Sequence, residues 1–564
     1  MMRRFIIVLA LAAVIPAAVS AKGPKWVKNA RMAVCQIVAF DEEGNEKGRS
    51  IGFFTDSDGN GITTYDIFST ASKAVAIDAN QVRHDIICVT GANRIYDLAR
   101  FKTVPDKTMK CLNVSSQAAS GDTPLYIMRY SSEKSSTADE CTAASISPMS
   151  GEFSYYALSG KMFGDIAGAP LLNADGMVVG VLQSSSETDT CHYAADSRFA
   201  ASLSISSALT LNEDDYRRMK FEKALPETEE QALVYLYLNQ GGDKATYANL
   251  VDKFLKQYPD SYEGYLKKGR YLILSGDSTT YGEGVSYLDQ AVSLAGGKGA
   301  VYYEYADLIY SVLTSQPAPF PDGWTLDSAL DYADKAIAAE EAPSYTQLKG
   351  NILFAKHEYD EALLCYQAVN KSSIASPETY YYTSVIKSKL EADPDEIIAT
   401  LDSCINFYGK PYTSQIAPFI LERATTKEGF KRYREAVIDL NEYEQVIGSA
   451  QLSAEFYYFR EQIEVKAKMY EQAIRDIGTA VLMLPSDLGL ALEQVSLMLR
   501  TGLYEQAMPI ISKLVESNPD NADCQRLAGI CHMQTGDNTK ARTHFLKAKE
   551  LGDELAVQLL DSLD

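Results

Sequence analysis

The sequence predicts a multidomain chain, all-β in its N-terminal third and all-α beyond it, on three observations. At 564 residues it is longer than one hydrophobic core can serve, which points to about two to four domains. From about residue 22 to 210 it is rich in β-branched residues, glycine and serine. Short runs such as MAVCQIVAF, IGFFTD, IICVTG and MVVGVLQ are bounded there by turn residues, a texture that predicts a sandwich or barrel. From about residue 212 onward apolar residues recur at helical spacing, with Gly and Pro between the runs. A hydrophobic fraction of 46% beside 23% charged residues excludes disorder as the default state.

Residues 1–21, MMRRFIIVLALAAVIPAAVSA, set Arg3 and Arg4 before a short apolar run and small residues at Val19 and Ala21. That order predicts a secretory leader cut near Ala21, a mature chain starting near Lys22 and a periplasmic or secreted destination. No cysteine follows the cut, so a lipid anchor is not expected. No later stretch holds 18 apolar residues in a row, so no transmembrane segment is expected.

Five of the nine cysteines, Cys35, Cys88, Cys111, Cys141 and Cys191, fall early. An oxidising compartment permits one or two disulfides among them, with the pairing open. There is no CxxC and no Cys/His ligand spacing, so neither a metal nor another cofactor is expected. Cys524 and Cys531 share one predicted helix about 10 Å apart, too far to pair.

Charge is uneven. Residues 1–210 hold 19 Lys+Arg against 21 Asp+Glu, and residues 211–564 hold 34 against 54, so the C-terminal region carries −20 of the net −22. This acidity argues against nucleic acid and anionic lipid as partners.

The helical region is periodic. YDEALLCY, YREAVIDL, YEQAIRDI and YEQAMPII align on Ala362, Ala436, Ala473 and Ala507, which are 74, 37 and 34 residues apart. Larger apolar residues follow at the fourth and seventh positions, as in Ala541, Phe545 and Ala548 or Ala362, Tyr366 and Val369. Gly529 and Gly536 precede the first of these sets, Gly350 precedes the second, and Gly269 with Gly276 marks an earlier copy. The pattern resembles the tetratricopeptide repeat, whose second helix needs a small residue where it crosses the first. About nine hairpins are predicted over residues 227–564, with 211–226 as a linker and irregularities at 316–324 and near Pro394. Such an array implies a superhelix with a concave groove for a peptide or partner helix.

Two blocks of the β region, SIGFF followed by DSDGNGITTYDIF and then GDIAGAPLLNADGMVVGVL, resemble the chymotrypsin-like serine proteases of the compact bacterial exported branch. The resemblance implies a trypsin-like double barrel over residues 22–210. It also implies a triad, and here the family's histidine position holds Asp66. Counting back from Pro170 puts Ala167 at the nucleophilic serine, and counting forward from Gly164 and Asp165 puts Ile166 there. Neither frame supplies the hydroxyl that an acyl intermediate needs. For the third member, the frame that places Thr108 of TMKCLNV at the aspartate competes with one that places Asp97 of YDLARFK there, and Thr108 is preferred. His84 and His192, the domain's two histidines, are expected to be structural, and Ser184, Ser185 and Ser186 to be loop residues.

These residues imply an exported, noncatalytic protease-like domain fused to a repeat array, a scaffold for a protein or peptide partner. Oligomeric state is left open. The alternative is a serine-type peptidase or other hydrolase whose catalytic residues have moved, and a third possibility makes the β domain a cap on the array.

Overall fold

Alternating runs of β-branched residues close here into two barrels of one design. The computed structural model describes residues 24–563 except 122, 134–137, 162, 165, 185–188, 190 and 276. The expected leader, Asp165, Ser185, Ser186 and Gly276 therefore lie outside the described residues. The first barrel comprises β1 (Val34–Phe40), β2 (Glu46–Phe54), β3 (Asn60–Thr63), β4 (Lys73–Ile77), β5 (Arg83–Asn93) and β6 (Leu98–Thr103). The second comprises β7 (Leu125–Ile127), β8 (Asp139–Pro148), β9 (Ser154–Ser159), β10 (Pro170–Leu172), β11 (Val178–Leu182) and β12 (His192–Asp196). Both are closed and antiparallel with the same order: the first strand of each neighbours the second and fourth, and the third pairs with the sixth. Closure removes the sheet edges that would otherwise invite aggregation.

Phe54, Phe68 and Phe101 fill the first barrel, and Tyr156, Leu171 and Leu182 fill the second. A third cluster, with Phe53, Ile62, Leu98, Met128, Leu172 and Val181, joins the barrels along their shared face. All nine cysteines are free, so neither of the permitted disulfides forms. Burial lifts the Cys35 and Cys141 thiols, the latter to about 12, which keeps them protonated core fillers.

The segment 211–226, expected as a linker, is instead part of the first barrel. Leu211, Tyr216, Met219 and Phe221 are buried in its core. The Tyr216 hydroxyl accepts the N–H of Ala92 at 2.8 Å, and Tyr65 Oη donates to the carbonyl of Asp215 at 2.7 Å. Four apolar side chains within eleven residues are too much surface to leave in water. The boundary between the two compact units falls later, at residues 268 and 269, so the helices Glu229–Asn239 and Lys244–Gln257 belong with the barrels.

The second unit is a run of antiparallel helices. Gly299–Ser315 packs on Leu326–Ala339, Ala417–Gly429 on Tyr433–Ile447, Ala454–Lys466 on Tyr470–Met483, and Ala522–Gln534 on Asn538–Glu550. The repeat alanines Ala362, Ala436, Ala473, Ala507 and Ala541 are all fully buried at these crossings. Gly529 shows why the position must be small: a Cβ there would stand 2.4 Å from the Phe545 ring. Pro394, expected as an irregularity, opens the helix Pro394–Ile405, where a missing N–H costs nothing and the Asp393 side chain caps the Asp395 N–H at 2.8 Å. Among the described residues no helix is long and apolar enough to cross a membrane.

Candidate functional site

The turn after β3 starts the helix Asp66–Ser69, and Asp66 is its exposed first residue. Its N–H donates to Asp97 Oδ1 at 2.8 Å, fixing the helix start against the turn between β5 and β6. Asp97 holds φ at +48°, in the left-handed region that aspartate tolerates better than most side chains. Its second oxygen accepts from Ser184 Oγ at 3.4 Å, just beyond β11. Burial lifts the Asp97 carboxyl to about 6 and the Asp66 charge adds to this, while hydrogen bonds from the Asp66 and Tyr65 N–H groups and from Ser184 oppose it.

Ala167 comes to the same place from the second barrel. Its carbonyl accepts the Ile51 N–H at 2.9 Å and the Ser50 hydroxyl at 3.0 Å, which ties the loop before β10 to β2. The next residue, Gly168, holds φ at +82°, and a Cβ on it would lie 1.9 Å from the Ile51 carbonyl oxygen. Only glycine permits that approach. Asp66, Ala167, Ser184, Ser50, Thr64 and Arg49 line one cavity of about 190 Å³. Ile166, the competing serine position, points into the second barrel's core.

Thr108 is not brought to this cavity. It sits exposed in a turn with its hydroxyl on Asp106 Oδ1 at 2.7 Å, and Asp97 takes the place beside Asp66 that the sequence frame had given to Thr108. The Thr108 frame takes TMKCLNV for a strand, but β6 ends at Thr103 and 104–113 is turn and coil. A signal that could have favoured Asp97 was available: YDLA opens a strand, where a turn aspartate can reach a neighbouring N–H.

Neither histidine of the β domain lines the cavity. His84 lies on β5, 3.6 Å from Asp78 and edge-on to Phe54. His192 on β12 accepts the Phe163 N–H at 3.0 Å and stacks on that ring. Cys141 and His192 line a narrow second cavity, yet burial raises the thiol and lowers the imidazole, the reverse of an activated thiolate pair. Among the described residues no group of His, Cys, Asp or Glu is placed to hold a metal ion.

The array contains buried charge that the motif reading did not anticipate. Arg423 forks onto Asp439 at 2.8 and 3.0 Å and also meets Asp402 at 2.5 Å. Exactly one repeat on in register, Arg460 forks onto Asp476 at 2.5 and 3.0 Å and meets Glu444 at 2.6 Å. Both arginines stand 13 residues before, and both aspartates 3 after, the repeat alanines Ala436 and Ala473, so this pattern was readable in the sequence. Glu461 and Glu464 beside them are buried at 0% and 2% exposure, each with one oxygen lacking a hydrogen-bond partner. Farther up the array a polar cavity of about 570 Å³ is lined by Asn370, Tyr380, Thr383 and Lys387 among others.

Comparison with known proteins finds a family match within the helical array. A tetratricopeptide-repeat family model matches residues 492–556, the helices from Leu488–Arg500 to the start of Glu554–Asp561. Among solved structures, the serine endoprotease from Yersinia pestis is similar at 14% identity and a TM-score of 0.27, over 34% of this chain and 66% of that one. The chain thus spans just under two thirds of that structure's length. No curated protein matches.

Proposed function

We propose that this chain is an exported binding protein in which a protease-like double barrel without peptidase chemistry is joined to a tetratricopeptide array that engages a protein or peptide partner. The observation that carries it is that Asp66 and Ala167, the positions the sequence resemblance gives to the imidazole base and the nucleophilic serine, line one cavity, and neither side chain can supply the group that resemblance calls for. Around it the backbone is held in place by hydrogen bonds, with Asp97 accepting from the Asp66 N–H and from Ser184. A frame of that kind still offers backbone groups to an extended peptide.

The second reading, a hydrolase with moved residues, is favoured by one pair: Ser184 Oγ and Asp97 Oδ2 at 3.4 Å, with the carboxyl near 6. Incubating the full chain with an unfolded protein and with a serine-reactive fluorophosphonate separates the two. Binding without cleavage or labelling is the expected result. Labelling at Ser184, abolished in Asp97→Asn, would establish the hydrolase instead.

A further inference from the structure

A cavity of about 820 Å³ lies away from the Asp66 cleft, on the flank of the first barrel. Its floor is made by two irregularities in β5. Ile86 pairs with Thr103 and Cys88 with Lys102, then Val89 with Phe101 and Gly91 with Arg100, so Ile87 and Thr90 have no partner on β6. Bulges of this kind turn side chains out of the ladder and recur beside binding sites. Residues 222–224 cover the irregular stretch, through Val89 N–H to the Glu222 carbonyl and Ala224 N–H to the Val89 carbonyl, both 2.9 Å. The helix Lys244–Gln257 forms the remaining wall.

The lining is apolar and charged, with five cations against the two carboxylates of Glu222 and Glu227. Ile87, Ile205 and Leu225 give an apolar surface, with Ile87 left 49% exposed. Five cations face the same space, and three are already engaged. Lys253 pairs with Glu222 at 2.6 Å, Lys223 donates to the Met219 carbonyl at 2.7 Å, and Arg100 donates to the Leu203 carbonyl at 2.8 Å. Lys102 and Lys256 have no ion pair among the described residues, although the chain as a whole carries −22. The Thr90 hydroxyl oxygen, on the cavity floor, is buried without a hydrogen-bond partner. An apolar surface, two unpaired ammonium groups and an orphaned hydroxyl call for a ligand that is apolar at one end and anionic at the other. The volume is that of a small-molecule site.

We infer that this cavity binds a small amphipathic organic anion, its apolar body against Ile87, Ile205 and Leu225 and its oxyanion between Lys102 and Lys256.

The test is calorimetric titration of the full chain at low salt with decanoate, with decyltrimethylammonium, which has the same tail and the opposite charge, and with inorganic phosphate. Decanoate is expected to bind at one site, and the other two to bind much more weakly. Lys256→Glu, on an exposed helical position, and Lys102→Gln should each weaken decanoate about tenfold, the scale of one charge-assisted hydrogen bond, with unchanged circular dichroism. Lys256→Glu keeps the test valid should Lys102→Gln disturb the barrel. No decanoate binding, equal affinity for decyltrimethylammonium or for phosphate, or wild-type affinity in the folded variants would overturn the inference.

Discussion

In the helical array the guanidinium of Arg423 is clasped by Asp439, Asp402 and Glu442, whereas in the barrel cleft Asp97 has Asp66 beside it and no ion pair among the described residues. Both places bury carboxylates, but the consequences differ. A buried cation with two or three carboxylates fixes how one helix lies on the next, and repeating it at 37-residue spacing fixes two successive hairpins alike. A carboxylate held by N–H and O–H donors alone keeps its position and leaves its charge uncompensated. In the array charge serves as structure, and in the cleft it stands without an opposite charge to fix it.

The sharpest way to break this contrast is to remove a clasped cation. Arg460→Leu leaves Asp476 buried without its partner and is expected to cost about 3 to 5 kcal/mol in denaturant unfolding of the array. A loss no larger than that of an exposed arginine would mean the pairs do not hold the helices. Next in size, Gly529→Leu and Ala473→Leu should each cost about 1 to 3 kcal/mol by overpacking the helix crossings, read from thermal melts.

Glu461 and Glu464 are buried carboxylates of the array with no ion pair among the described residues, and they blur the contrast in a way that pH can resolve. Glu461 faces Glu493, Arg500 and Asp476, and Glu464 faces Asp476, Arg460 and Arg475. Burial, the leading cause, raises them to about 7 and about 8 from an ordinary 4.5. Between those values the folded array binds protons that the unfolded chain does not. Their contribution is therefore full below about 4.5 and is lost as pH rises through 7 and 8. The array should melt higher at pH 6 than at pH 8.5, and replacing both by glutamine should flatten that slope and raise the melt at pH 8.5.

The smallest effects separate the two aspartate frames. Asp97→Ala strands the Asp66 N–H and should cost about 1 to 2 kcal/mol, while Thr108→Ala, at an exposed turn, should stay within about 0.5 kcal/mol. Equal effects would remove the distinction.

How much of this was legible depended on what kind of constraint each residue obeys. The array could be read because a helix crossing admits only a small side chain, so Ala362, Ala436, Ala473 and Ala507 write its period into the sequence. The barrels could be read from turn glycines and alternating strands. The contact of Asp97 with Asp66 could not be counted in this way, because it is made across a turn and not along a strand, and no spacing encodes it. The segment 211–226 was misjudged for a related reason: Tyr216 and Phe221 lack helical or strand periodicity, and their core lies more than a hundred residues earlier.

That segment bears on how the molecule can be dissected. A fragment ending at residue 210 would lack the Tyr216 hydroxyl that accepts from Ala92 and the strand-like contact of Val89 with Lys223. It would open Phe68 and Val89 to water from the side that Phe221 and Met219 now close. The double barrel is thus not a severable module at the point where its resemblance ends. A soluble excision would have to keep the chain through at least 226, and a protease cut between 210 and 226 in the intact protein would loosen the first barrel although no strand had been broken.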